Sequence, residues 1–428
     1  VEVVILIISF IILLGIGVPI AWSIGLSSIF TMLMSIPVIP ALTTVAQRMA
    51  TGLDSFGLLA IPFFILAGHI MNRGGIARRL VAFARTLVGS LPGGLAHVNI
   101  VAAMLFGAIA GSAVAAASAI GSFMTDEMES EGYSKEFAAA VNITSSTTGL
   151  VIPPSNILIV YSLASGGMSI AALFLAGYIP GILTGLLLMI VAGFWAKRKG
   201  IKTRGRSSLR QVWTTFWSAF PSLLLLVVVI GGIVAGIFTA TEASAVAVLY
   251  CLILMYFYKE VSLKELPSIF LTSVGTTAIV LLLISTSMSM SWIMAYENIP
   301  QDLTALLLSI SDNKVVILLI INLTLLLVGV FMDITPAVLI FTPIFLPVVT
   351  ALGMDPTHFG IIMILNLTIG ICTPPVGSVL FVGVGVAGTT IQKVIRPLMP
   401  LFITMLIGLL LVTYIPQLSL WLPGLFGL

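Results

Sequence analysis

Residues 147–156 read Thr-Thr-Gly-Leu-Val-Ile-Pro-Pro-Ser-Asn, and residues 368–377 read Thr-Ile-Gly-Ile-Cys-Thr-Pro-Pro-Val-Gly. The two stretches align without a gap at an offset of 221 residues, so that Thr147 pairs with Thr368, Gly149 with Gly370 and Pro153-Pro154 with Pro374-Pro375. Gly132 pairs with Gly353 upstream, and Gly167 with Gly388 downstream. Both copies lie inside apolar runs of membrane-spanning length. Proline and glycine there release backbone oxygens at membrane depth, which is tolerated only inside protein or beside a water-lined cavity. Two interrupted spans at corresponding places in two halves point to the binding site of a secondary transporter.

Composition supports a membrane setting. The 428 residues are 59% hydrophobic and 8% charged, against roughly 25% charged in soluble domains. Such a chain cannot build a water-exposed surface, so it is expected to be an all-α polytopic membrane protein. The net charge of +3 leaves no footprint for nucleic acid. Cys251 and Cys372 both sit in apolar runs and read as small buried hydrophobes. Val1 to Phe30 reads as a first span within an apolar run at 3–34, not as a cleavable signal, because it lacks a basic start.

Further apolar segments fall near 55–72, 95–125, 137–164, 170–196, 212–238, 243–258, 268–296, 315–350, 358–386 and 397–415. Segments 95–125 and 315–350 exceed one straight crossing of ~20 residues and fall short of two. Each has a break at its middle, Gly111-Ser112 in one and Asp333-Ile334-Thr335-Pro336 in the other. Both are expected to be re-entrant hairpins whose tips reach the midplane, with Thr335 capping the outgoing helix of the second and Pro336 at its first position.

The basic residues test this topology. Place the end of segment 55–72 in the cytoplasm, and let the hairpins return to the side they came from. The cytoplasmic loops then hold Arg73, Arg78, Arg79, Arg85, Lys135, the seven basic residues between Lys197 and Arg210, Lys259, Lys264, Lys393 and Arg396. That is 16 of the 18 basic residues, with only Arg48 and Lys314 outside. Counting either hairpin as a crossing destroys this asymmetry, which is the positive-inside signature. The two halves then have inverted topology, the architecture of alternating access.

The expected organisation follows: N-terminal scaffold helices over 1–92, and a first transport repeat over 93–196 with hairpin 95–125 and broken helix 137–164. A basic cytoplasmic linker covers 197–211 and scaffold helices cover 212–310. A second transport repeat spans 311–396, with hairpin 315–350 and broken helix 358–386, and a C-terminal helix fills 397–428. Thr239-Ala-Thr-Glu242 fits a capping box that opens a helix running to Tyr258.

Asp333 is the one carboxylate placed deep in the membrane interior. A charge there costs about 3 kcal/mol on insertion scales, so it needs a partner, a proton or a cation; helix capping is the plainer alternative. The first tip carries no charge, but Ser112 can cap the returning helix or meet a ligand. Asn142, Thr144, Ser145, Ser146, Thr147 and Thr148 crowd the first broken helix, and Asn366, Thr368 and Thr373 stand in the second. Backbone carbonyls from Gly149 to Ile152 and from Gly370 to Cys372 add oxygens. Each tip facing its broken span can thus enclose one Na⁺, although some of these hydroxyls must simply bond the preceding helical turn.

No Lys or Arg falls in the expected core. An anionic substrate would have to be met by helix N-termini after Ser112, Pro154, Thr335 and Pro375, and by Ser155 and Asn156. Gly377 and Ser378 stand at the counterpart of Ser155 and Asn156. His69, His97 and His358 are scattered, and no metalloprotease, hydrolase or nucleotide-binding motif is present. A channel, an intramembrane enzyme and an ATP-driven permease are the competing classes. The first lacks saturable counterflow, the second needs a nucleophile–base or carboxylate pair, and the third an ATPase.

Six stretches together resemble the large membrane subunit (M subunit) of tripartite ATP-independent periplasmic (TRAP) transporters. They are Pro62-Phe-Phe-Ile-Leu-Ala-Gly68, the hairpin Gly107–Ser122, Ile152-Pro-Pro-Ser155, Gly236-Ile-Phe-Thr-Ala-Thr-Glu-Ala243, Asp333-Ile-Thr-Pro336 and Thr373-Pro-Pro-Val-Gly377. The resemblance covers essentially the whole chain. It implies a fold like the ion-transporter superfamily, an elevator mechanism, Na⁺ as coupling ion with no other cofactor, and a multi-pass place in the bacterial inner membrane. Two partners are implied, a periplasmic substrate-binding protein and a small (Q-type) membrane subunit, either a second polypeptide or one separated from this chain, with no ATPase. The family's sodium and substrate sites map onto Ser112, Ser145, Gly149, Ser155, Asp333, Thr368, Gly370 and Thr373. The substrate is expected to be an organic acid; the chain looks most like the sialic-acid group, with C4-dicarboxylates and sugar acids as alternatives.

Overall fold

The computed structural model describes residues 2–73, 75–201, 205, 207–259, 261–311 and 313–428. Lys202, Arg204 and Arg206 of the expected linker lie outside the described residues. The described chain is helical throughout. Its first half comprises α1 (Glu2–Gly15), α2 (Ile20–Ser35), α3 (Val38–Thr51), α4 (Ala60–Arg73), α5 (Ile76–Val88), α6 (Gly94–Ala110), α7 (Ala113–Ser130), α8 (Lys135–Val151), α9 (Asn156–Ala164) and α10 (Ile170–Arg198). The second half comprises α11 (Leu209–Val234), α12 (Ala240–Tyr258), α13 (Leu266–Tyr296), α14 (Ile299–Ile310), α15 (Lys314–Phe331), α16 (Ile334–Ala351), α17 (Pro356–Gly370), α18 (Ser378–Ala387), α19 (Ile391–Tyr414) and α20 (Gln417–Leu425). Among the described residues, eight helices are long and apolar enough to cross a membrane.

The internal repeat runs through the architecture. At the 221-residue offset read from the sequence, the starts of α7, α8 and α10 at Ala113, Lys135 and Ile170 fall on those of α16, α17 and α19 at Ile334, Pro356 and Ile391. α3, a short 3₁₀ turn at Phe56–Leu59 and α4 together take the place that α13 fills as one helix of 31 residues. Segment 397–428 holds most of α19 and all of α20.

Both hairpins and both broken helices are present. α6 and α7 meet at Gly111-Ser112, and α15 and α16 at Met332-Asp333. α8 and α9 are bent by 51° across Ile152–Ser155. α17 and α18 are separated by the seven-residue stretch Ile371–Gly377. Each break is centred on a Pro-Pro pair, which lacks two amide donors and cannot continue the helix. α8 is buried at every position from Phe137 to Val151, and α17 from Thr357 to Gly370. A helix buried all round forms the centre of a large domain, not its rim. α6 packs on α8 and α15 on α17, so each broken helix is sheathed by the first arm of its own hairpin.

The apolar run 3–34 does not form one span. It is two helices, α1 and α2, which pack along each other. Gly17 adopts a left-handed φ of +86°, and Pro19 stands just ahead of α2. This Gly-x-Gly-x-Pro sequence ends one helix and starts the next despite unbroken hydropathy. At about 1.5 Å per residue, helices of 14 and 16 residues measure about 21 and 24 Å.

The capping box at Thr239 is formed in full. Thr239 N donates to Glu242 Oε2 at 2.8 Å, and Glu242 N donates to Thr239 Oγ1 at 3.2 Å. This orders the entry of α12, which packs along α4.

Candidate functional site

The first tip is shaped by Gly111, whose φ of +61° ends α6 in a left-handed turn. Its N–H donates to Gly107 O at 2.9 Å. Ser112 then turns extended, and its Oγ accepts from Ala115 N at 3.2 Å, capping α7. A methyl group at Gly111 would lie 3.0 Å from Asn156 Nδ2, so this tip rests on the start of α9.

The second tip differs from the sequence expectation by two residues. Asp333, not Thr335, is the N-cap of α16, its Oδ1 accepting from Ile334 N at 2.7 Å. Thr335 and Pro336 lie inside the first turn. Proline is tolerated there because its missing donor would have had no helical partner. One Asp333 oxygen is thereby engaged by backbone, and the exposed carboxylate faces a cavity described below.

Each hairpin crosses its broken helix through glycine. A methyl group at Gly149 would stand 2.3 Å from Gly107 Cα, and one at Gly370 would stand 2.5 Å from Gly329 Cα. Backbone meets backbone at both crossings, a separation no side chain permits. One turn away, the crossings are stitched by buried amides. Ser145 Oγ donates to Asn99 Oδ1 at 3.1 Å, and at the repeat-related position Asn366 Nδ2 donates to Asn322 Oδ1 at 2.8 Å. The second break is also tied to its hairpin by Gly377 N donating to Val330 O at 3.3 Å.

The hydroxyls of the broken helices mostly donate within their own helix. Thr144, Ser146, Thr147 and Thr148 do so in α8, as does Thr368, to Leu365 O at 2.7 Å, in α17. Thr373 Oγ1 donates to Ile369 O at 2.8 Å. Each such oxygen has its proton committed and its lone pairs still available. Ser155 is 1% exposed, and its Oγ has no hydrogen-bond partner.

These elements converge on a cavity of about 480 Å³. Four helix starts line it, at Ser112 and Ala113 for α7, Asn156 for α9, Ile334 and Thr335 for α16, and Ser378 for α18. Asp333 is the one carboxylate on its wall, and no Lys or Arg is among the lining residues. The unpaired N–H groups and positive dipole ends of four helices therefore meet one negative side chain. Of the sequence-predicted residues, Ser112, Asn156 and Asp333 face this cavity. Ser145, Gly149, Ile152, Ser155, Thr368, Gly370 and Thr373 lie behind it, within or at the ends of the broken helices.

Sequence reading missed the opposite wall. It is built by α4, through Ile61, Ile65, Gly68, His69 and Asn72, and by α13, through Thr276 and Val280. The α4 residues recur at intervals of three and four, one face of a helix, which was the only signal available. A methyl group at Gly68 would lie 2.8 Å from Ala110 O, so α4 touches the first tip directly. Among the described residues, no group of three or more His, Cys, Asp and Glu could hold a transition metal.

The sequence model of the tripartite ATP-independent periplasmic transporter DctM component matches residues 7–418. The chain belongs to this family. It is a large-permease component and a multi-pass protein of the bacterial inner membrane. It is 57% identical over 98% of its length to the uncharacterized protein YgiK of Salmonella typhimurium, covering 96% of that protein. It is 43% identical to the sialic acid TRAP transporter large permease protein SiaM of Vibrio cholerae, covering 89% of each chain. It is 39% identical to the C4-dicarboxylate TRAP transporter large permease protein DctM of Rhodobacter capsulatus, covering 96% of each. Among solved structures, the YdaH transporter of Alcanivorax borkumensis, described as having an unusual topology, superposes with a TM-score of 0.68. The match covers 90% of each chain at 14% identity and shows a shared fold.

Proposed function

We propose that this permease component imports an organic acid, with sialic acid (N-acetylneuraminate) as the leading candidate, coupled to Na⁺ through an elevator movement. The observation that carries the reading is the cavity where four helix starts and a single carboxylate meet without any Lys or Arg. Each helix N-terminus stabilises an anion by about 0.3–1 kcal/mol, so four contribute about 1–4 kcal/mol. Desolvating a carboxylate costs several kcal/mol, and Asp333 adds repulsion. A Na⁺ about 4 Å away contributes about 4 kcal/mol at the effective dielectric of partly buried sites. The acid is therefore held well only when the cation is present, and linkage makes the dependence mutual.

Two Na⁺ sites related by the repeat fit the two glycine crossings. The first would draw on Ser112, Ser145 and the carbonyls of Gly149 and Ile152; the second on Asp333, Thr368, Thr373 and the carbonyl of Gly370. Hydroxyls that give their proton to a helix carbonyl present lone pairs outward, as a hard cation requires. The acid's carboxylate would sit at the helix starts by Ser112, Ser155, Asn156 and Asp333.

In the movement, residues 93–196 and 311–396 travel as the transport body against a scaffold of 1–92 and 212–310. Asn72 and Thr276 on the cavity wall are exposed, and Asn72 adjoins Arg73 at the end of α4. By the positive-inside rule the Arg73 end of α4 is the cytoplasmic one. A small membrane subunit and a periplasmic binding protein complete the transporter. SiaM's name supports sialic acid, and DctM's keeps C4-dicarboxylates as the alternative.

The test is uptake into proteoliposomes containing both membrane subunits and the binding protein, with labelled N-acetylneuraminate or succinate. Accumulation that requires an inward Na⁺ gradient supports the proposal. Accumulation of the acid at equal rate in K⁺ alone refutes sodium coupling.

A further inference from the structure

The two walls of the cavity have different chemistry. Hairpin tips and broken helices offer donors, whereas the wall of α4 and α13 offers His69, Asn72 and Thr276. His69 Nδ1 lies 2.8 Å from Ser273 Oγ, and Ser273 Oγ lies 2.8 Å from Ile269 O. Two oxygens at that separation require a hydrogen between them. A serine hydroxyl has only one, so Ser273 donates to Ile269 and accepts from His69. The neutral imidazole is thereby fixed with its proton on Nδ1, leaving Nε2 as a bare acceptor. Among the described residues no hydrogen bond engages Nε2. The ring is half-buried on the cavity wall, one residue along from Gly68, which abuts the first tip at Ala110 O.

We infer that His69 is a specificity-determining residue. Its Nε2 accepts a hydrogen bond from a hydroxyl or amide N–H on the substrate while the tips hold the carboxylate. The substrate class is then an organic acid bearing such donors, such as a hydroxylated or N-acylated sugar acid. A group without a donor, directed at Nε2, would meet a lone pair and leave it unpaired. A donor on the ligand has the opposite fate. It fills an acceptor that otherwise stays unpaired, and sites built to pair a polar group strongly reject analogues that lack it. This rests on the proposed import of an organic acid and narrows it.

The experiment titrates the solubilised two-subunit membrane complex in Na⁺ with N-acetylneuraminate, pyruvate and succinate, following thermal stabilisation. The wild type is expected to half-saturate with N-acetylneuraminate at a concentration at least about tenfold below the other two acids. His69→Leu should raise the N-acetylneuraminate value about tenfold or more and move the pyruvate value by less than about twofold, whereas His69→Gln, which keeps an acceptor, should lose less than His69→Leu. An unchanged N-acetylneuraminate value in His69→Leu overturns the inference. So does a wild type that binds succinate or pyruvate as well as N-acetylneuraminate, a result that needs no variant to fold. Wild-type proteoliposomes that accumulate succinate with Na⁺ would overturn only this inference and leave sodium-coupled import standing. Failure of every acid to bind or accumulate in Na⁺ would overturn both.

Discussion

Replacing Gly149 with alanine sets two opposing terms against each other at the place where hairpin and broken helix cross. Alanine in a helix interior is favoured over glycine by about 1 kcal/mol. Against this, the new methyl would stand 2.3 Å from Gly107 Cα, 2.7 Å from Gly107 C and 2.9 Å from Ala103 O. All three are backbone atoms that cannot rotate aside, so the helices must part by more than an ångström to restore ordinary contact. Overpacking of this kind costs about 1–3 kcal/mol, more where neighbours are rigid, so with three rigid backbone atoms in the way the net expectation is a loss of about 2 kcal/mol or more. The repeat supplies a graded series: the closest approach for a methyl is 2.3 Å at Gly149, 2.5 Å at Gly370, 2.6 Å at Gly107 and 3.0 Å at Gly329. Gly275, in the exposed part of α13 with nothing within 4 Å, is the control. Thermal unfolding of the purified variants should rank Gly149→Ala lowest and Gly329→Ala mildest of the four. Gly275→Ala should match or exceed wild type. A Gly149→Ala protein that unfolds at the wild-type temperature, or a Gly275→Ala protein that loses as much, would refute the reasoning.

Asp333→Asn separates capping from ion binding. Asparagine caps as well as aspartate, so the melting temperature should barely move while Na⁺-dependent uptake is lost; retained uptake at the wild-type Na⁺ dependence would dismiss the ion role. Asn322→Leu leaves the buried Asn366 amide without the acceptor it reaches at 2.8 Å, which should cost about 1–3 kcal/mol in a stability assay. Adding Asn366→Leu removes the orphan, so the double variant should lose less than the sum of the two singles. Thr239→Ala removes the hydroxyl that accepts from Glu242 N, while residue 239 keeps its own N–H to Glu242, and should destabilise by about 0.5–2 kcal/mol; no change in denaturation would show that α12 is held by packing alone.

The hairpins and breaks were legible because each violates membrane arithmetic. A segment too long for one span needs a turn, and Gly111-Ser112 and Met332-Asp333 supply it; Pro153-Pro154 and Pro374-Pro375 cannot sit in a continuous helix. The repeat was legible because its offset is carried by those same residues. The division of 3–34 into α1 and α2 was missed because hydropathy runs unbroken through Gly15, Ile16, Gly17, Val18 and Pro19, although glycine and proline there carried the signal. The cap of α16 was misplaced by two residues because Asp333 and Thr335 are both good N-caps and Pro336 was assigned to the first helical position. Three-dimensional placement alone put His69, Asn72 and Thr276 at the cavity. His69 precedes the first tip by some forty residues and shares only the helical periodicity of α4, and Thr276 belongs to the other half.

The most direct test is a density map of the two-subunit complex determined with N-acetylneuraminate in Na⁺ and again in K⁺. The Na⁺ map should show the acid's carboxylate at the helix starts of Ser112 and Asn156, close to Asp333 and Ser378. The K⁺ map should show that cavity without it. An acid bound elsewhere, or bound equally in both salts, would contradict the claim that the two tips and two broken helices form one sodium-dependent site.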